Sequence, residues 1–227
     1  KLTAELLKDW SGYGPSTRAA VINTLLTREI WTQALLTTLE KGNLATVQIS
    51  PAHRQKLNQH PQLAIRARAT KLFGRVDVNR AKVIARYQNV TKLQGNTKRG
   101  ATLFKANCAV CHKFKNEGNP VGPDLATLAG KPTTDWLTAI LDPNRAVEDK
   151  YIGYVITTRG NAVHIGVITV ETPASLTLRT LTGQEQVILR TNIKDLKSTG
   201  LSLMPAGLEA ILPAQSMADL LKYTRGK

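Results

Sequence analysis

Cys108-Ala109-Val110-Cys111-His112 is the stretch on which the reading of this chain turns. Two thiols are separated by two residues, and an imidazole follows the second directly. A thioredoxin-like redox pair belongs to a surrounding strand-helix pattern, whereas these residues read as the end of a helix running into a Gly/Pro-rich loop. A structural zinc site usually takes four ligands, and the chain has no second Cys pair.

The third chemistry is covalent attachment of haem. Each thiol then reaches one vinyl group, and the next residue turns its ring nitrogen to the iron. His112 is the expected proximal ligand. Upstream, Arg99 to Asn107 places Gly100 and Phe104 one turn apart on one helix face. This resembles the first helix of a small monohaem cytochrome c, where the glycine lets the last helix cross closely. Gln215 to Arg225 is the matching last helix, with Leu220, Leu221 and Tyr223 as crossing partners. Gly122-Pro123-Asp124-Leu125 resembles the loop whose proline carbonyl accepts the proximal imidazole's other N–H, a bond that fixes the ring's tautomer and orientation. Leu203-Met204-Pro205 resembles the distal-ligand loop of monohaem cytochromes, so the resemblance implies His112 and Met204 as the metal ligands of one covalent haem c. Met217, by contrast, falls on the buried stripe of the last helix with Leu220 and Leu221. Trp136 and Arg145 are candidate donors to haem propionates, since a guanidinium fork matches a carboxylate. For Trp136 a place in the core competes with that role.

Composition bounds the rest. The chain has 227 residues, 42% hydrophobic, and no apolar run near the twenty residues that a spanning helix needs. No leader is visible, yet the chain opens on Lys1, which reads as a mature form or fragment. The thiol chemistry takes place outside the cytoplasm in the family this resembles, so the expectation is a periplasmic or otherwise exported protein. Net charge is +15, with +10 in residues 1–94 and +5 in residues 95–227. Such an excess suits an acidic redox partner or serves solubility alone. No nucleic-acid motif is present.

In chain order, residues 1–94 read as helices. Ile22, Leu25 and Leu26 share a stripe, as do Ile65, Ala69, Leu72 and Phe73, and again Val83, Ile84 and Tyr87. Pro15, Ser50-Pro51 and His60-Pro61 are placed as helix starts, and Asp77 as the cap of the helix through Tyr87. Short amphipathic helices of this kind pack as antiparallel pairs, a HEAT-like array without a clean period. Trp10, Tyr13 and Trp31 form either a binding face or core. His53 and His60 lie in polar surroundings and read as solvent-facing. Residues 91–98 read as a hinge.

Thr133 to Leu141 reads as a helix with Trp136, Leu137, Ile140 and Leu141 inward. From Tyr151 the period changes to two. Tyr151–Thr158, Val163–Val170, Ser175–Arg179 and Gln186–Arg190 make an antiparallel meander of about four strands, a structural or docking insert at about 151–191. His164 lies within a strand.

The expected fold is therefore mainly α: a HEAT-like helical domain at 1–94, then a monohaem cytochrome c fold at 95–227 with a small β insert. The order CxxCH, Gly-Pro-Asp-Leu, Ile-Leu-Asp-Pro-Asn-Arg, Tyr, β-meander, Ser-Leu-Met-Pro and final helix is similar to the C-terminal haem domain of planctomycete and verrucomicrobial proteins. There it commonly follows HEAT-like helices and a propeller resembling a sugar or alcohol dehydrogenase. That resemblance implies electron transfer, with a redox partner protein or fused dehydrogenase domain as donor. Two other readings remain open: a haem enzyme or gas sensor with a labile distal site, and a helical partner-binding scaffold with an accessory haem.

Overall fold

Capping chemistry sets where the helices begin. Pro15 opens α2 (Pro15–Leu25), where its missing N–H costs nothing. Ser50 caps α4 (Pro51–Asn58) by accepting from the His53 amide. Asn96 caps α7 (Thr97–Asn107) through the Arg99 amide at 3.0 Å. The computed structural model describes residues 2–73 and 78–226, so the cap expected at Asp77 lies outside the described residues. The other helices are α1 (Leu2–Leu7), α3 (Glu29–Glu40), α5 (Leu63–Phe73), α6 (Val78–Arg86), α8 (Thr133–Leu141) and α9 (Ala214–Arg225). α5 starts two residues beyond Pro61, and Arg66 Nη1 bonds the carbonyls of His60 and Pro61 ahead of it, both at 2.7 Å.

The strands are β1 (Ile152–Thr158), β2 (Val163–Glu171), β3 (Ser175–Thr180), β4 (Glu185–Leu189) and β5 (Ile193–Ser202), in the sheet order β4-β3-β2-β1-β5. β1 is antiparallel to both its neighbours, pairing Val155 with Ile165 on one side and with Lys197 on the other. The sheet thus has five strands rather than about four. β5, which lies beyond the insert expected at about 151–191, closes back on β1.

The chain divides into two compact units, each assembled from separated segments. The first comprises residues 1–76, 146–178 and 186–203. Its helical core holds Trp10, Ile22, Leu25, Leu35, Leu36, Leu57 and Ile65, with Tyr13 and Trp31 packed against it, so the aromatics are core. Under the sheet lies a second cluster around Tyr154, Ile156, Ile168, Leu176 and Leu178. Glu171 at the end of β2 accepts from the Ser16 amide at 3.1 Å and the Thr17 hydroxyl at 3.0 Å, and so caps α2 from across the unit.

The second unit comprises residues 77–145, 179–185 and 204–227. Residues 78–94 therefore group in space with the haem-motif segment, although the sequence reading ends its helical domain at residue 94. Val83, Tyr87 and Val90 are buried in one cluster with Phe104, Phe114, Trp136, Leu141, Leu212, Met217, Leu221 and Tyr223. Of the residues 91–98 expected as a hinge, Thr91 and Lys92 end a 3-10 turn and Thr97 and Lys98 open α7. At the centre, α7 crosses α9 so closely that a Cβ on Gly100 would lie 2.1 Å from the Asp219 carbonyl oxygen. Asp219, its side chain only 3% exposed, takes Arg99 Nε at 2.6 Å, Arg99 Nη2 at 2.9 Å and the Asn96 amide at 2.7 Å.

Candidate haem site

The motif begins as the unwinding end of α7. The amides of Cys108 and Ala109 both bond the Phe104 carbonyl, at 2.8 and 2.9 Å, and the His112 amide bonds that of Cys108 at 2.8 Å. The pentad is therefore a stack of tight turns that presents Cys108, Cys111 and His112 together. The following loop folds back on it: Asn119 and Gly122 amides bond the carbonyls of Ala109 and Cys111 at 2.9 and 2.7 Å. Gly118, at φ +86°, makes that return possible, since a Cβ there would lie 2.1 Å from the His112 carbonyl oxygen.

His112 Nδ1 lies 2.9 Å from the Pro123 carbonyl oxygen. A carbonyl only accepts, so the proton sits on Nδ1 and the Nε2 lone pair is left for a metal. Burial holds the imidazole below its ordinary pKa, which keeps it in the neutral, ligating form. Gly122 packs flat on the ring, where a Cβ would fall 2.5 Å from Cε1. That contact went unread in the sequence, although a glycine directly before the proline was its signal.

Cys108 and Cys111 are both half-buried, and no disulfide joins them. Burial pushes the Cys108 thiol up to about 11 and raises that of Cys111. A catalytic CxxC pair needs a depressed thiol, so the environment opposes a redox-pair role. Among the described residues no group of three or more His, Cys, Asp or Glu side chains is placed to hold a metal ion.

The remaining candidates are placed as follows. Trp136 is buried in α8 and its indole N–H donates to the Leu128 carbonyl at 3.1 Å, so ring and donor both serve the core. Arg145 is exposed just after α8, its amide bonded to the Asp142 carbonyl at 3.0 Å. Met204 sits in a bend after β5, half-buried against the same apolar cluster as Phe104 and Phe114. Met217 is 0% exposed within that cluster. Of the other histidines, His164 is half-buried in β2 opposite Ile156, and His60 Nδ1 accepts from the Gln62 amide at 3.2 Å. His53 is buried, not solvent-facing. Its Nδ1 meets Ser50 Oγ at 2.8 Å and its Nε2 meets Asn23 Oδ1 at 3.1 Å.

The residues fit a covalent haem: two thiols beside an oriented neutral imidazole, against an apolar wall. Comparison with known proteins agrees. A family model described as cytochrome c matches residues 97–162. The chain is 55% identical over 42 residues to cytochrome c of Arabidopsis thaliana, covering 18% of this chain and 38% of that protein. It is 54% identical over 41 residues to cytochrome c of Cochliobolus lunatus, with the same 18% and 38% coverage. The chain thus spans 38% of the length of the curated relatives it matches. A cytochrome c domain lies at residues 97–162, and its cofactor is one covalently bound c-type haem. Met204 lies beyond the matched residues.

Proposed function

We propose that this chain transfers electrons through that haem, with His112 as proximal and Met204 as distal ligand. The observation that carries the reading is the 2.9 Å bond from His112 Nδ1 to the Pro123 carbonyl, which leaves Nε2 free for iron on the residue that directly follows the second thiol. The haem supplies a one-electron ferric/ferrous couple, and the protein supplies axial ligands and a largely dry pocket, the levers that set its potential. Thioether ligation raises the potential relative to bis-histidine ligation, as suits a carrier that accepts electrons from a dehydrogenase. Arg145 is the propionate partner in this reading.

The wider setting follows from the likeness of the motif order to the planctomycete and verrucomicrobial haem domains. The chain is the electron-accepting module of a larger dehydrogenase, its first helices a HEAT-like scaffold, its location periplasmic or otherwise exported. Its donor or acceptor docks through an acidic surface against the net charge of +15. No helix among the described residues is long and apolar enough to cross a membrane.

The test is spectroscopic. The unaltered protein is expected to be low-spin, with the weak near-infrared sulfur-to-ferric band and slow CO binding when reduced. Met204→Ala should abolish the band and open the iron to CO, while Met217→Ala should keep the band and lower stability. Ready CO binding without a band in the unaltered protein would put the gas-sensor or enzyme reading first.

A further inference from the structure

We propose that Tyr87 and Arg80 are positioning residues for Met204, anchoring the segment that directly follows the ligand loop. The proposal rests on Met204 ligation. Neither residue lies in the matched stretch 97–162, and both fall in the part of the sequence that reads as helical scaffold.

The geometry is as follows. Tyr87, 7% exposed directly after α6, donates its hydroxyl to the Leu212 carbonyl at 2.7 Å and approaches the Glu209 carbonyl at 3.3 Å. Arg80, two turns earlier on α6, pairs its Nη2 with Glu209 Oε1 at 2.9 Å and donates Nη1 to the Leu141 carbonyl at 3.2 Å. Both side chains of that ion pair are mostly shielded, at 23% and 18% exposure. One helix thus fastens residues 209–212 through backbone and side chain together, and Leu212 is itself buried in the same core.

Only residues 205–208 separate Met204 from the first fastened residue, and that stretch begins with Pro205 and turns at Gly207, φ +94°. Proline fixes one of its torsions, and a residue spans at most about 3.5 Å. The five steps from Met204 to Glu209 therefore reach at most about 17 Å, which bounds how far the ligand loop can travel from its anchor. For Met204 to swing away, the loop must either strain or release its downstream anchor. The anchor therefore favours the state with sulfur at the pocket over the open state, although neither Tyr87 nor Arg80 touches the ligand.

Competition by added imidazole reads this equilibrium. The near-infrared band of the ferric protein is followed as imidazole is added, in the unaltered protein and in Tyr87→Phe, Arg80→Gln, Arg80→Lys and Glu209→Gln. Loss of one buried hydrogen bond should lower the half-displacing imidazole concentration about fivefold in Tyr87→Phe. Arg80→Gln and Glu209→Gln should lower it as well, and Arg80→Lys, which keeps the charge, should recover part of the difference. Arg99→Gln weakens the same unit at the α7/α9 crossing and should leave the half-point unchanged. Far-UV circular dichroism and covalent haem content establish which variants are folded, and Glu209→Gln serves if Tyr87→Phe is not. Folded Tyr87, Arg80 and Glu209 variants that keep the unaltered half-point would overturn the anchoring while leaving ligation intact. Absence of the band from the unaltered protein would overturn Met204 ligation itself, and the anchoring with it.

Discussion

His112, half-buried, and His53, buried, are both imidazoles held in one tautomer, and they illustrate how unequally a sequence exposes such residues. His112 sits within a local motif, and its partner Pro123 lies in the next loop. His53 lies among Arg54, Gln55 and Lys56, and its burial depends on Asn23, thirty positions earlier, so no nearby residue signals it. Burial lowers the His53 pKa below 6.5, while in the unfolded chain it titrates near the ordinary value of about 6.5. The unfolded state then binds the extra proton first as pH falls. Stability from this residue is complete above about pH 6.5 and is lost as pH drops toward the lower folded value. Urea midpoints at pH 8 and pH 5.5, followed by tryptophan fluorescence, should fall less in His53→Gln than in the unaltered protein. Equal falls would assign the acid sensitivity to other groups.

Among the elements, the α7/α9 crossing and β5 show opposite degrees of legibility. Gly100 and Phe104 on one face, followed much later by an amphipathic last helix, is a pattern that side chains spell out, and the crossing lies where that pattern puts it. β5 has no such signature. Lys194, Asp195 and Lys197 interrupt its apolar residues, and its place beside β1 is secured by backbone pairing from Ile152↔Ser202 to Thr158↔Ile193. A ladder of main-chain bonds leaves no trace in hydropathy. At the crossing, Gly100→Ala forces a methyl group against the Asp219 carbonyl and should destabilise the unit by about 1–3 kcal/mol. Gly160→Ala, whose nearest neighbour would be a Thr158 hydroxyl at 3.9 Å, is the matched control and should change stability by no more than about 0.5 kcal/mol. Denaturant midpoints with the haem band as probe compare the two. A tolerated Gly100→Ala would mean that the helices part at little cost.

At the scale of the whole molecule, charge makes the most direct prediction. If an acidic partner exchanges electrons with this chain, the bimolecular rate should fall as salt rises from about 0.01 M to physiological strength, because the screening length shrinks from about 30 Å to about 8 Å. Stopped-flow rates against ionic strength test it, and a flat response would leave the basic excess to solubility. The division into units carries a different consequence. The segments alternate along the chain, so that residues 146–178 and 186–203 of the first unit are made between the two large pieces of the second. On the ribosome, α7 with its thiols emerges long before α9, and everything from residue 108 to residue 213 must be synthesised before the crossing has its second half. Until then the Phe104 face has no last helix to bury it, and a pairing this distant in sequence closes slowly. The thiols and His112 are consequently presented on an incomplete scaffold during synthesis. A chain exported before it folds then offers the motif in the same open state, and attachment of the cofactor can precede the closing of the core around it.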